Sequence, residues 1–379
     1  MLSFHPLEVT AVDRIAEDAI SMTFAIPSEL RAQFQHHAGQ YVTVRRSIDG
    51  REERRTYSIV TPPGGSVLKL GVREQAGGRM SRELAAHIRP GDKLEVGTPI
   101  GRFRTSVDPV RTRSYVAFSA GSGITPVLSL ATDLLAREPH SRFTLIYGNR
   151  STARAMFLED TLALKNRYLG RFSVYFVMSR EPQHTQLLNG RIDAAKIEAL
   201  AREISDIGAA DEYFVCGPGG MVDEVRETLR RLNEAAPVRF ERFASHADAM
   251  RGPDAMRERG ATREPDALQR SDPMTEPAER AAPKEVLATI SVTMDGRRRT
   301  FPMAADDRSV LEAAERAGLE LPFSCRSGIC ATCRTRIIAG EAVMAHNIAL
   351  EPWETKAGFV LCCQARPTTR SLELSYDEK

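Results

Sequence analysis

No stretch of this sequence approaches eighteen uninterrupted apolar residues, so no membrane-spanning helix is expected. The opening MLSFHPLEVTAVDRIAED has neither the basic start nor the apolar run of a secretory signal. The expected compartment is therefore the reducing cytoplasm, where free thiolates persist. Charge of one sign is also lacking: 52 Lys and Arg stand against 50 Asp and Glu, mixed along the chain. No basic stripe marks a nucleic-acid partner. Eight scattered histidines form no HExxH and read as ordinary surface or core residues. The loop Gly121-Ser122-Gly123 has no following Lys, which a Walker A loop requires, and Ala120 and Ile124 stand where a nucleophile elbow around Ser122 needs glycine.

What the chain does have is cysteine in a pattern. Cys325, Cys330 and Cys333 lie in LPFSCRSGICATCRTR, and Cys362-Cys363 follow in GFVLCCQARP. Gaps of four and two residues with a distant fourth thiol are the spacing of a plant-type 2Fe–2S cluster, in which four thiolates hold two irons. A structural zinc site would show two short-spaced pairs, and disulfides do not suit a chain without a secretory segment. Gly328 lets the loop curl with its amides towards sulfide, while Ser324, Ser327 and Thr332 are small donors to sulfur. Either Cys362 or Cys363 completes the set.

At 379 residues the chain exceeds one core, and its rhythm changes along its length. Residues 1–108 show short alternating apolar runs broken by turns, which predicts an antiparallel barrel with one short helix near 80–88. Within it, RRTYSIV puts Arg55 and Tyr57 on one strand face with Ser58 turned away. A cation, an aromatic platform and a hydroxyl suit a flavin's phosphate, ring face and N5 edge. In AGGRMSREL, Gly77 and Gly78 open a helix whose first amides and Ser81 can bind an anion. That stretch favours FAD over FMN.

Residues 109–243 alternate strands with helices, with helices expected near 155–168, 194–203 and 221–232. This is the pattern of an open parallel sheet that binds ligands at the carboxyl ends of its strands. Gly121, Gly123 and Thr125 of GSGITP make a phosphate turn, although Pro126 replaces the third glycine of the usual dinucleotide fingerprint. One strand later, Arg150 and Ser151 stand where the adenosine ribose is read, and a cation there favours NADPH over NADH. CGPGG, from Cys216 to Gly220, ends the last strand with a turn that lets backbone approach a flat ligand. Residues 244–285 carry five prolines among Ala, Asp, Glu and Arg without periodicity, the composition of a flexible linker on which the last module would shuttle. Residues 286–379 open with a hairpin turning at Asp295-Gly296, then a helix near 310–317 and the cysteine loop.

In this order, R-x-Y-S, G-G-x-x-S, G-S-G-I-T-P, Y-G-N-R-S, C-G-P-G-G and the cysteine set resemble the ferredoxin–NADP⁺ reductase superfamily fused to a C-terminal plant-type ferredoxin. GNRSTARAMF, LLNGRID and CQARP are similar to the reductase subunits of phenylacetyl-CoA epoxidase, a multicomponent di-iron monooxygenase. The resemblance covers nearly the whole chain apart from residues 245–285. It implies a multidomain protein with an antiparallel β-barrel flavin domain, an α/β parallel-sheet nucleotide domain and an α+β ferredoxin domain of β-grasp type. It also implies that Arg55 holds flavin phosphate, Tyr57 stacks on the isoalloxazine and Ser58 lies near N5. Gly78 and Ser81 would hold the diphosphate, and Cys216, with Gly217 in its turn, would face the nicotinamide. Phe243 stands near the position of an aromatic terminus in relatives. Cys363, rather than Cys362, would join Cys325, Cys330 and Cys333 on the metal. The implied function is transfer of electrons from NADPH through FAD and a 2Fe–2S cluster to a di-iron oxygenase component, with no nucleic-acid or membrane partner. A reductase for a ring-hydroxylating dioxygenase or another monooxygenase remains an alternative, as does an iron–sulfur redox sensor with a vestigial nucleotide domain.

Overall fold

The computed structural model describes residues 3–243 and 286–378. These form two compact units, one from each range. The expected linker, 244–285, lies outside the described residues.

The first unit begins with an antiparallel sheet: β1 (Phe4–Ala16), β2 (Ala19–Ala25), β3 (Tyr41–Ile48), β4 (Arg51–Ser58), β5 (Val67–Arg73), a short helix α1 (Arg79–His87) and β6 (Lys93–Gly97). The strand order is β4-β3-β6-β1-β2-β5. Its two edge strands meet where Ile59 bridges Leu70 and the Val60 amide reaches the Lys69 carbonyl at 2.9 Å, so the sheet curls towards a barrel. Alternation explains the filling: Ile20, Met22 and Phe24 of β2 and Leu68, Leu70 and Val72 of β5 point inward, closed over by Met80 and Leu84 of α1.

A parallel sheet follows: β7 (Ser114–Ala120), α2 (Ile124–Arg137), β8 (Arg142–Asn149), α3 (Leu158–Arg167), β9 (Phe172–Met178), α4 (Ala194–Glu203), β10 (Glu212–Pro218), α5 (Gly219–Leu232) and β11 (Val238–Phe243), ordered β11-β10-β7-β8-β9. Strands such as SYVAFSA and EYFVCGP are apolar throughout because helices cover both faces. Residues of α2 and α3 pack one face, and Ile197, Leu200, Val222 and Val225 pack the other. The order reverses between β7 and β10, which opens a crevice at their carboxyl ends. The helix expected from 155 starts instead at Leu158. Thr152–Arg154 forms a single 3-10 turn, and the buried Phe157 adopts φ 54°, which a helix cannot include.

The two sheets share one core, in which Ala19, Val60 and Phe103 meet Tyr115, Leu128 and Phe214. The connecting segment is held by two buried carboxylates. Glu138 accepts from Tyr115 Oη (2.8 Å), Ser141 Oγ (2.7 Å) and the Asp108 amide (2.9 Å), and Glu212 accepts from Thr105 Oγ1 (2.6 Å).

The second unit comprises β12 (Val286–Met294), β13 (Arg297–Ala304), α6 (Val310–Arg316), β14 (Arg334–Ala339), β15 (Ala342–Met344), α7 (Pro352–Lys356), β16 (Phe359–Leu361), β17 (Ala365–Pro367) and β18 (Ser371–Ser375). Five strands order as β13-β12-β18-β14-β16, with β15-β17 apart. The β12–β13 hairpin turns at Asp295 (φ 52°) and Gly296 (φ 69°), and both turn amides donate to Asp377. Ser309 caps α6 by accepting the Glu312 amide at 3.3 Å.

Glu138→Ala removes the acceptor of two buried hydroxyls and of the half-buried Asp108 amide, and the expected cost is roughly 3–5 kcal/mol. Denaturant unfolding of the full chain measures it; an unchanged midpoint for the first unit would contradict this account.

Candidate functional site

The crevice between β7 and β10 assembles residues from both sheets. Gly121–Gly123 make a 3-10 turn that runs straight into α2. Gly123 lies so close to β10 that a Cβ would come 2.1 Å from the Cys216 carbonyl oxygen, so no other residue fits. The buried Thr125 donates to the Ser122 carbonyl at 2.9 Å, and Gly217 lies against Ala120. Parallel pairing of β10 with β11 sets Glu241 opposite the fully buried Cys216. Ser58, the last residue of β4 and 3% exposed, donates to Glu241 Oε2 at 3.3 Å. Three strands thus bring Ser58, Cys216 and Glu241 together. Phe243, paired with Pro218, packs half-buried on the shared core.

Other expected residues are set around this centre. Arg55 and Tyr57 pair with Val44 and Val42, so they share a face of β4. The Arg55 guanidinium is held by Glu53 (3.1 Å) and the Arg54 carbonyl (2.7 Å), and Arg79 of α1 reaches Glu53 as well, at 3.3 Å. Gly78 precedes α1, and Ser81 Oγ accepts the Gln75 amide at 3.1 Å. Arg150 is exposed beyond the end of β8, its carbonyl accepting the Arg180 amide at 2.9 Å, and Ser151 follows half-buried. Glu181 accepts from Thr152 Oγ1 (2.6 Å) and the Thr152 amide (2.8 Å), bonds that hold its carboxyl below the usual range.

The cysteine loop is shaped by three left-handed residues, Arg326 (φ 54°), Gly328 (φ 73°) and Ala331 (φ 54°). At Gly328 a Cβ would meet the His346 carbonyl oxygen at 2.8 Å, and its own carbonyl accepts the Ile348 (3.1 Å) and Ala349 (3.0 Å) amides. The curl turns the amides of Ser327, Ile329 and Cys330 towards Cys325 Sγ, at 3.4, 3.5 and 3.4 Å. The thiols fall into two pairs, Cys325 with Cys330 and Cys333 with Cys363. The Cys330 thiol, then the loop amides, hold Cys325 down to about 6, and the Cys333 thiol lowers Cys363; the partner thiols are pushed up. Among the described residues no three Cys, His, Asp or Glu could hold a single metal ion. Two thiol pairs suit two irons, each taking two thiolates. Ser324 Oγ is buried without a protein partner beside Cys325, a spare donor for such a cluster. Cys362 lies apart, beside Tyr376, and burial pushes it up to about 12.

Residues 6–105 match the oxidoreductase FAD-binding domain, residues 118–227 the oxidoreductase NAD-binding domain, and residues 292–368 the 2Fe-2S iron-sulfur cluster binding domain. The chain is 36% identical to a subunit of the 1,2-phenylacetyl-CoA epoxidase of Escherichia coli (strain K12), over 100% of this chain and 99% of that one. The chain belongs to the family of NAD(P)H-dependent flavin and iron–sulfur reductases. It is 29% identical to the ferredoxin reductase component of 3-ketosteroid-9-alpha-monooxygenase from Rhodococcus rhodochrous, over 98% of this chain and 96% of that one. The crystal structure of phthalate dioxygenase reductase shares its fold, with a TM-score of 0.56 at 22% identity over 98% of each chain. An intact type IV self-sufficient cytochrome P450 monooxygenase does so with a TM-score of 0.62 at 21% identity; 98% of this chain is covered, and the chain spans 41% of that longer protein.

In this flavin and iron–sulfur reductase the barrel carries FAD, the parallel sheet NAD(P)H and the second unit the 2Fe–2S cluster. Fold and cofactors match what the sequence led one to expect. Glu241, in the Glu241-Arg242-Phe243 run that the resemblance sets near the flavin, was given no role of its own. In sequence it is part of ERF at the end of the reductase module, and nothing local says that β11 will lie beside Cys216. Burial raises the Glu241 carboxyl from 4.5 to about 7, against the Ser58 hydrogen bond, which lowers it. Burial, and then Glu241, push the Cys216 thiol well up, so it stays protonated.

A carboxyl whose folded value lies above its unfolded one favours the folded state where it is protonated. Its contribution is complete below about pH 4.5 and is lost as pH rises to about 7. Glu241→Gln does not titrate, so its stability relative to the unaltered protein should grow by about 3 kcal/mol between those pH values. Thermal unfolding across that range checks the slope, and parallel curves would show that Glu241 ionises normally.

Proposed function

We propose that the protein takes electrons from NADPH and passes them through FAD and its 2Fe–2S cluster to the oxygenase component of a di-iron multicomponent system of the phenylacetyl-CoA epoxidase kind, in the cytoplasm. The observation that carries this reading is the 36% identity, end to end, with a component of that epoxidase. The chemistry supplied by the bound groups is the conversion of a two-electron hydride into single electrons. The chain's own residues bind, orient and handle protons. Arg55, Gly78 and Ser81 are assigned to flavin phosphates and Tyr57 to the ring face. The Gly121–Thr125 turn and the α2 amides are assigned to the NADPH diphosphate, and Gly217 to the nicotinamide turn. Ser58 donates to Glu241, and a half-buried carboxyl near 7 can hold or release one proton at neutral pH. Cys216, a neutral thiol, contributes packing next to that carboxyl. Phe243 covers the same core. Cys325, Cys330, Cys333 and Cys363 are assigned to iron.

A second reading, a reductase for a different oxygenase, is favoured by the 29% identity with the 3-ketosteroid monooxygenase component. Coupled turnover with purified oxygenase subunits of each kind separates the two: epoxidation of phenylacetyl-CoA driven by this protein supports the first, and activity only with another oxygenase overturns it. Steady NADPH oxidation with an artificial acceptor excludes a sensor without enzymatic turnover.

Arg150 is proposed to select NADPH over NADH. Arg150→Ala should raise the KM for NADPH roughly ten- to a hundredfold, the worth of one charge-assisted hydrogen bond, and leave NADH nearly unaffected. Equal effects on both nucleotides would remove Arg150 from this role. Cys330→Ser should abolish cytochrome c reduction, which depends on the cluster, and spare ferricyanide reduction, which draws on the flavin. Loss of both activities would contradict the division of labour between the two units.

A further inference from the structure

The turn between β1 and β2 carries Glu17 and Asp18 and reaches the loop that follows β8. Asp18, with its side chain 15% exposed, stands between two guanidiniums. Arg154 of that loop donates to Asp18 Oδ2, and Arg73 Nη1 at the end of β5 lies 3.6 Å from the same oxygen. Arg73 also donates to the Arg154 carbonyl at 2.6 Å, and the Glu17 amide to the Ala153 carbonyl at 2.8 Å. On the other side of the loop, Tyr147 Oη lies 3.0 Å from the Met156 carbonyl and 3.1 Å from the Gly121 carbonyl. Met156 and Phe157 pack on the bare backbone of Gly71 in β5. The loop is thus tied to the flavin barrel on one side and to the phosphate turn on the other. The left-handed Phe157, a conformation that costs of order 1 kcal/mol, persists because these contacts over-determine it.

We infer that Asp18 is a positioning residue for hydride transfer, holding the loop after β8 and the phosphate turn in one register against the flavin barrel through Arg154 and Arg73. Without its carboxylate, two largely buried guanidiniums would face each other across the seam between barrel and parallel sheet, and their repulsion would part it. Misplacing reacting groups by about 1 Å can cost on the order of a hundredfold in rate, so a small parting has a large effect. The inference rests on the family's hydride transfer from NAD(P)H to flavin, and is independent of which nucleotide or oxygenase is preferred.

The test uses full-length protein with FAD and cluster in place. Asp18→Asn keeps the shape and removes the charge, and Arg154→Met cuts the strap from the other end. Mixed anaerobically with saturating NADPH or NADH, both variants should reduce their flavin roughly ten- to a hundredfold more slowly, with FAD content retained. Amide hydrogen exchange should rise across residues 151–157, and Asp18→Glu should restore part of the rate. An unchanged limiting rate with both nucleotides overturns the inference, including where the melting temperature falls, since that marks a purely structural role. A slower rate without faster exchange at 151–157 also overturns it. Failure of the unaltered protein to reduce its flavin with either nucleotide would overturn the reductase reading itself, and this inference with it.

Discussion

Ser58 and Glu241 meet at 3.3 Å although 183 positions separate them. Much of the first unit is organised so that this contact can exist. The last residue of a barrel strand must share a crevice with the edge strand of a parallel sheet, and that requires one continuous core under both. Glu138 and Glu212 hold the connecting segment by satisfying its polar groups in buried places. The glycine at 123 lets the phosphate turn lie on the backbone of β10, next to Cys216. Loss of hydration among the neighbouring strands raises the half-buried Glu241 carboxyl to where it titrates near neutral pH. Packing and proton handling therefore have one cause.

The second unit solves its problem locally. Three left-handed residues within six positions bend the loop until its amides face Cys325, and the fourth thiol arrives on the turn between β16 and β17. The pairing of β14 with β16 and the bond from the Cys362 amide to the Cys333 carbonyl (3.1 Å) fix where that turn lies. Adjacent side chains there diverge, so Cys363 joins Cys333 while Cys362 is buried beside Tyr376. That divergence is what sets Cys363, and not Cys362, beside Cys333.

What could be read from the sequence was local in origin. Cysteine spacing, the period-two runs of the barrel and the Asp295-Gly296 turn each report a constraint acting within a few residues, and each has its counterpart in the structure. The α3 start was misplaced because Met156 and Phe157 are drawn against Gly71 of another sheet, a pull that helix propensity cannot register. Glu241 and Asp18 were given no role for the same reason. Each is an ordinary acid in its own segment and gains its meaning from a partner more than a hundred positions away, Ser58 for Glu241 and Arg154 for Asp18. Arg55 shows the converse: its motif was legible, but its present engagement with the largely buried Glu53 was not.

The selectivity proposed for Arg150 and the alignment inferred for Asp18 belong to two ends of one loop, and this has a physical consequence. Arg150 is exposed beyond the end of β8, where a charge can be gained or lost without disturbing packing. A few residues later the same loop turns inward to Arg154, Met156 and Phe157, whose contacts are buried and mutually dependent. Substitution at the exposed end changes only what the loop attracts, with an energy screened by solvent. At the buried end a substitution leaves charges or polar atoms without partners and moves the loop as a whole. A reductase built this way can change its preferred nucleotide in few steps while the alignment of nucleotide and flavin stays fixed.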